Sequence, residues 1–280
     1  MTTRATKRNL ANMSDGHTSA INLLLGQAGE IPMFRSGWSL HAAYHHLMKV
    51  EPKLVTWIEQ SSIPETYQSE PQMGAFPSLM KTIVFQQLAA SAAEPILRRT
   101  KCAFLGKDID TEISDDEISP DLVQHASFTS TDIDSKRKVL INGRLCGLSE
   151  AKSRYIRSLA DHFTDPQKLK DVNLFELSDE ELYSKLTAVD GLGPWSVHMF
   201  MLFVMKRSNV LATGDLGVRR GVAKLYGVSM DKLKGKAGEE EMKRLCAHWA
   251  PYSSLGCCLM WKSQEIATTG QTASPTKRAK

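Results

Sequence analysis

The sequence predicts an all-α protein, and three observations carry that reading. Helix-start signals precede several apolar runs, most clearly Ser178 with Glu181 three residues on. Apolar residues fall on one helical face, as Leu79, Ile83 and Val84 do. No stretch alternates apolar and polar residues in the two-residue period of a half-buried strand, and no internal repeat is present.

In chain order, 1–35 is polar with scattered basic residues and reads as a disordered tail. The folded domain is expected over 36–263, and 264–280 as a second polar tail ending in basic residues. Ser39–Met48 and Lys53–Glu59 read as two helices divided at Glu51-Pro52, because proline pushes the residue before it out of helical geometry. His41, His45 and His46 sit on the first and read as packing or surface residues rather than metal ligands. Pro77 opens a third helix that should stop near Leu88. Ser91 with Glu94 reads as a capping box for the next, with Pro95 tolerated in its first turn. Residues 107–136 are rich in Asp, Glu, Ser and Thr and read as a surface loop with a short helix near Ser119–Ala126. This acidic stretch would repel a polyanion such as DNA, so it is expected away from any face that binds one. Ser149 caps a helix over Glu150–Phe163, and the Ser178/Glu181 box starts the helix that ends at Leu186–Val189.

Asp190-Gly191-Leu192-Gly193 then reads as a tight hairpin. Its glycines allow positive φ and close approach of a partner. Pro194 suits the first turn of a following apolar helix to about Arg207, whose free amides attract anions such as a phosphate. That helix rises about 20 Å, at roughly 1.5 Å per residue. An extended link from Ser208 to Gly214 spans about the same length, at roughly 3.3 Å per residue. The spacing therefore lets Asp215 return towards Trp195. Asp215 opens a helix to Tyr226, a role as N-cap that aspartate suits. Arg219 and Arg220 lie on that helix. Glu239–Trp249 forms a helix stopped before Pro251, and Tyr252–Ser263 forms the last.

Composition bounds the function. The chain has 280 residues, 42% hydrophobic, enough for one or two domains with a real core. No uncharged apolar run reaches membrane-spanning length and no signal peptide is visible, so no membrane partner is expected. The five cysteines, 102, 146, 246, 257 and 258, are odd in number and lack zinc-site spacing, which suits a reducing compartment. Net charge is +4, compatible with DNA binding through one face.

GLGPW followed some twenty residues later by GDLGVRR resembles the helix-hairpin-helix and Gly/Pro-Asp superfamily of DNA glycosylases. FPSLMKTIVFQQLAASAA (76–93) looks like that family's L-x-x-I-x-x-Q-Q-L-S segment, GLSEAKSRYIRSLA (147–160) like its G-L-S-x-x-K-x-x-Y-I helix, and WAPYSSLGCCLMW (249–261) like its W-x-P-Y-R-S-x-A-x-x-x-L-W end. The resemblance runs from about Trp38 to Ser263 and is strongest to 3-methyladenine DNA glycosylases of the AlkA or Mag type. It implies a two-lobed helical fold with the active-site cleft between the lobes.

The resemblance also implies site residues. Asp215 is the catalytic carboxylate, opposing positive charge on the sugar or orienting water. Trp195 and Trp261 line the base pocket, since an aromatic face attracts an electron-poor ring. Trp57 and Trp249 read as core. Gly191, Leu192, Gly193, Gln87 and Leu88 contact DNA, with Leu88 as an apolar wedge in the gap left by an extruded base or, alternatively, a core leucine. Carbonyls of Thr187, Val189 and Leu192 would ligate a monovalent cation, Na⁺ or K⁺. No cofactor is required, and no iron–sulfur cluster is expected, because four spaced cysteines after the aspartate are lacking. Bifunctional relatives carry a nucleophilic lysine where this chain has Trp195, so a monofunctional enzyme is expected. It would act as a monomer on double-stranded DNA with alkylated bases, in the nucleus of a eukaryote or otherwise in the cytoplasm. Ser253 stands where the family carries arginine. The alternatives are a bifunctional glycosylase/lyase for oxidised bases and a non-catalytic helix-hairpin-helix DNA-binding protein.

Overall fold

The computed structural model describes residues 33–60, 64, 67, 73–133 and 136–269. They form two compact units. The residues before Pro71 join those from Lys206 onward in one, and Pro71–Met205 forms the other.

The discontinuous unit begins with α1 (Leu40–Val50), whose first turn is capped where Ser39 Oγ accepts the Ala42 amide. Glu51 leaves helical geometry ahead of Pro52, and α2 (Val55–Glu59) follows one 3-10 turn later. α1 buries Leu40, Tyr44 and Leu47 completely. Phe34, inside the expected tail, is buried too and packs its ring against Trp38 and Tyr67. The rest of the N-terminal tail, 1–32, lies outside the described residues.

In the continuous unit, α3 (Ala75–Phe85) starts two residues before Pro77 and stops short of Leu88. α4 (Ala90–Leu105) begins with Ala89 at its N-cap and no side-chain cap. Ser91 and Glu94 therefore do not cap it: the chain has already turned at Gln86–Leu88, and Ser91 lies inside the first turn. Pro95 consequently falls further into the helix than expected, at the loss of one backbone hydrogen bond.

The acidic stretch is more structured than a loop. It holds a 3-10 turn at Asp115–Glu117, closed by a capping box from Ser114 and Glu117, and then α5 (Pro120–Gln124). Next comes an element that the sequence reading missed. β1 (Phe128–Ile133), β2 (Lys136–Ile141) and β3 (Arg144–Leu145) form an antiparallel sheet in that order. Its register pairs Phe128 with Ile141 and Leu140 with Leu145. Asn142 and Gly143 both take positive φ, 50° and 77°, as a two-residue hairpin requires. Val139 and Ile141 bury one face of β2. The class remains mostly helical with this sheet added.

α6 (Glu150–Thr164) starts at Ser149, whose Oγ accepts the Lys152 amide at 3.2 Å. α7 (Asp179–Thr187) starts at the Ser178/Glu181 capping box. α8 (Pro194–Phe203) is shorter than expected, ending four residues before Arg207, and Lys206 beyond it takes φ +51°.

The first unit resumes with an irregular strap over 207–214, bent at 208–209 and turned at 213–214, then α9 (Leu216–Tyr226), α10 (Gly235–Cys246) and α11 (Ser253–Thr269). α9 packs closely on α11 because Gly221 leaves room for Met260: a Cβ there would lie 2.4 Å from the Met260 Cβ. α10 starts and ends earlier than expected and passes into a 3-10 turn, Ala247–Trp249, which buries Trp249 fully. α11 continues six residues past Ser263, and the remainder of the C-terminal tail lies outside the described residues.

Candidate active site

The hairpin between α7 and α8 depends on two glycines for different reasons. Gly191 has φ +84°, and a Cβ there would lie 2.3 Å from the Tyr155 ring of α6. Only glycine fits both constraints. Gly193 has φ −80° and nothing within 4 Å of a would-be Cβ. Its space is open to a partner from outside. Leu192 is 2% exposed, and its amide is used by the Val189 carbonyl at 3.1 Å. Its side chain is therefore a core anchor of the hairpin, so a contact to DNA from this residue would have to come from its main chain. Ser158 of α6 also supports the loop, its Oγ accepting the Asp190 amide at 3.2 Å.

α3 ends in a turn over Phe85–Leu88. The Leu88 amide donates to the Phe85 carbonyl at 3.1 Å, Gln86 has φ −50° and ψ 130°, and Gln87 has φ +58°. These are type II values, with a non-glycine residue at the position that favours glycine. Leu88 follows at 39% exposure, so it is not the core leucine that the alternative reading allowed. Two polar side chains hold the turn. Gln86 Nε2 donates to the Gly191 carbonyl of the hairpin at 2.7 Å. Lys152 Nζ, from α6, donates to the Val84 carbonyl at 2.7 Å and the Gln86 carbonyl at 2.8 Å. Desolvation holds the Lys152 ammonium below its ordinary pKa.

Trp195 sits in the first turn of α8, 47% exposed, in the wall of a cleft of about 1180 Å³. Phe85, Leu88, Met199 and Phe203 line it as well, so the wall is largely apolar and aromatic. Asp115 and Asp116 line the same cleft, although the acidic stretch was expected to lie elsewhere. Each has a structural reason to be there. Asp115 pairs with Lys101, and Asp116 Oδ1 accepts the Gly74 amide at the start of α3 at 3.0 Å.

Asp215 and Trp261 lie in the other unit. Asp215 is the N-cap of α9: its Oδ1 accepts the Val218 amide at 2.8 Å and the Trp261 indole N–H at 2.7 Å. A helix start and an indole N–H both attract negative charge to that oxygen. Gly217 makes this possible, since a Cβ there would lie 2.5 Å from Trp261 Cδ1. Trp261 thus holds the carboxylate by its polar edge. Serines at the start of α11 fix the strap that delivers Asp215. Ser254 Oγ donates to the Arg207 carbonyl at 2.6 Å and accepts the Val210 amide at 2.9 Å. Ser253 is buried and donates to Asn209 Oδ1 at 2.7 Å, which gives the residue replacing the family's arginine a definite place. Arg219 also touches the strap, donating to the Gly214 carbonyl.

The cysteines are all buried free thiols, with burial pushing the Cys246 and Cys258 pKa values up to about 12. His46 packs against Tyr252. Among the described residues no group of three or more His, Cys, Asp or Glu could hold a metal. The residues that sequence reasoning missed are Gln86, Lys152, Tyr155 and Ser158. The last three had a visible signal: they recur every third position on α6, which places them along one stripe.

Two helices joined by a glycine hairpin, with the loop backed by a third helix, define a helix-hairpin-helix protein. The chain belongs to the HhH-GPD superfamily of base excision DNA repair proteins, whose family model matches residues 80–250. It is 27% identical to the DNA-3-methyladenine glycosylase of Saccharomyces cerevisiae over 265 residues, covering 82% of this chain and 81% of that protein. It is 24% identical to DNA-3-methyladenine glycosylase 1 of Schizosaccharomyces pombe, covering 72% of this chain and 78% of the relative. Among solved structures it is similar to a DNA-3-methyladenine glycosidase from Bacillus halodurans, with a TM-score of 0.61, 27% identity, and 81% and 91% of the two chains covered. The fold is also that of Schizosaccharomyces pombe Mag1 in complex with abasic DNA, with a TM-score of 0.54, 22% identity, and 81% and 98% covered.

Proposed function

We propose that the protein is a monofunctional DNA-3-methyladenine glycosylase that hydrolyses the N-glycosidic bond of alkylated purines in duplex DNA. The observation that carries this reading is the Asp215 carboxylate held by the Val218 amide and the Trp261 indole, in a chain of a base excision repair family.

A base inside a duplex must be extruded before its glycosidic bond can be reached. 3-Methyladenine and 7-methylguanine carry positive charge, so their bond to the sugar is already weak and the leaving base needs no strong acid. The Trp195 face receives the electron-poor ring, worth up to about 2 kcal/mol once water is excluded. Asp116 adds negative charge to the cleft wall, which suits a cation. As the bond breaks, its electron pair leaves with the base and neutralises it. Positive charge moves to the sugar, where Asp215 opposes it. Water then adds to the sugar carbon and loses a proton, leaving an abasic site.

Gly193, with open space before it, offers main-chain amides to a phosphate. A monovalent cation, Na⁺ or K⁺, held by the carbonyls of Thr187, Val189 and Leu192, belongs to the same reading. Those donors are main-chain oxygens, which suit a hard cation, and the Val189 carbonyl keeps a second lone pair beside the one given to the Leu192 amide. The cation would tie the hairpin together. The enzyme would act as a monomer, in the nucleus if the source is eukaryotic.

The monofunctional part is favoured by residue 195 being tryptophan. Lys81, an amine in the cleft wall, is occupied: it lies 3.5 Å from Glu94 and over the Phe85 ring. Incubation with methylated duplex DNA should release free base and leave the strand intact until alkali is added. Strand nicks without alkali, or protein trapped on DNA by borohydride, would establish the glycosylase/lyase alternative instead.

A further inference from the structure

We propose that Lys152 is a positioning residue: by holding the Gln86 carbonyl, its ammonium locks the Phe85–Leu88 turn in the form that presents Leu88. This rests on the reading that Leu88 enters the duplex.

Type I and type II turns differ by a flip of their central peptide, here the one between Gln86 and Gln87, so the Gln86 carbonyl points oppositely in the two forms. Type II demands positive φ at the third residue. Glycine or asparagine accepts that readily, whereas glutamine is strained there. Left to its own residues, this turn would relax to type I, with Gln87 at negative φ. The Lys152 ammonium prevents the flip. It lies 2.8 Å from the Gln86 carbonyl, and its second bond, 2.7 Å to the Val84 carbonyl, anchors it on the end of α3. A cation suits that helix end, where unpaired carbonyls collect negative charge. The side-chain bond from Gln86 to Gly191 cannot replace the clamp, because it leaves the orientation of the peptide free. The backbone of Gln87 sets the direction in which Leu88 leaves the turn, so a flip re-aims the wedge.

The test compares Lys152→Met in two backgrounds, native and Gln87→Gly. Glycine removes the strain, so the clamp should matter only while residue 87 is glutamine. Single-turnover base release from methylated duplex DNA should fall about tenfold in Lys152→Met, but less than about twofold when the same change is made beside Gln87→Gly. Equal losses in the two backgrounds would mean that the lysine acts through packing alone and would overturn the proposal, as would an undiminished Lys152→Met. Amide hydrogen exchange over 86–89 supplies a readout independent of turnover. It should quicken in Lys152→Met and stay unchanged when Gln87→Gly is already present. If the unmodified protein releases no base, the glycosylase reading fails, and exchange alone then decides the clamp. Should Lys152→Met be insoluble, Lys152→Gln, shorter and uncharged, takes its place in the same comparison.

Discussion

Trp261 shows at the residue scale that a side chain's polar edge can decide its role. Its indole N–H donates to Asp215 Oδ1 at 2.7 Å. Trp261→Phe keeps the ring and loses the donor. A hydrogen bond to a charged group is worth about 1.5–3 kcal/mol, so single-turnover base release should fall about tenfold or more while duplex affinity stays the same. Unchanged release would show that the indole only packs. The two hairpin glycines separate in the same way. Gly191→Ala meets both the positive φ and the Tyr155 ring, and should destabilise the protein by at least about 1 kcal/mol, read as a lower denaturation midpoint. Gly193→Ala meets nothing inside the molecule, so stability should hold while duplex affinity drops. Gly191 and Gly193 were legible as a pair in the sequence. That one faces a ring and the other open space was not, because Tyr155 lies 36 positions earlier in the chain.

At the scale of elements, most helix starts could be read from local chemistry. Ser149, Ser178 and Asp215 all cap as expected, since each bond spans only three residues. The Ser91/Glu94 pattern failed because a tertiary constraint, the turn tied to Lys152 and Gly191, had already started α4 at Ala90. The sheet had one local signal, Asn142-Gly143 between apolar runs, but its register rests on pairs up to 13 positions apart, such as Phe128 with Ile141. The start of α7 yields a pH prediction. Bonds from the Ser178 amide and hydroxyl hold the Glu181 carboxyl below its ordinary pKa. A depressed carboxyl contributes stability above its unfolded value, near 4.5, and loses it as pH falls through the folded value. Exchange-corrected protection of the 178–182 amides should therefore hold above pH 5 and decline below about 4. Protection that stays constant down to pH 3 would contradict the box.

Across the whole molecule, the chain forms two compact units, one continuous in sequence and one discontinuous. The family resemblance implied two lobes within 36–263, but the residues alone did not mark where they join, because no Gly-, Pro- or Ser-rich linker lies near Lys206. The family and its reaction class were legible because their motifs are short and local. The acidic wall of the cleft was not, because charge counting places Asp115 and Asp116 on a face only by repulsion from DNA, and ignores that Lys101 and the Gly74 amide hold them. The most direct measurement is mass-spectrometric detection of bases released from methylated duplex DNA by the native protein and by Asp215→Asn at matched DNA occupancy. Free 3-methyladenine or 7-methylguanine from the native protein and none from the variant is the expected result. Full release by Asp215→Asn, or none by either protein, would contradict it.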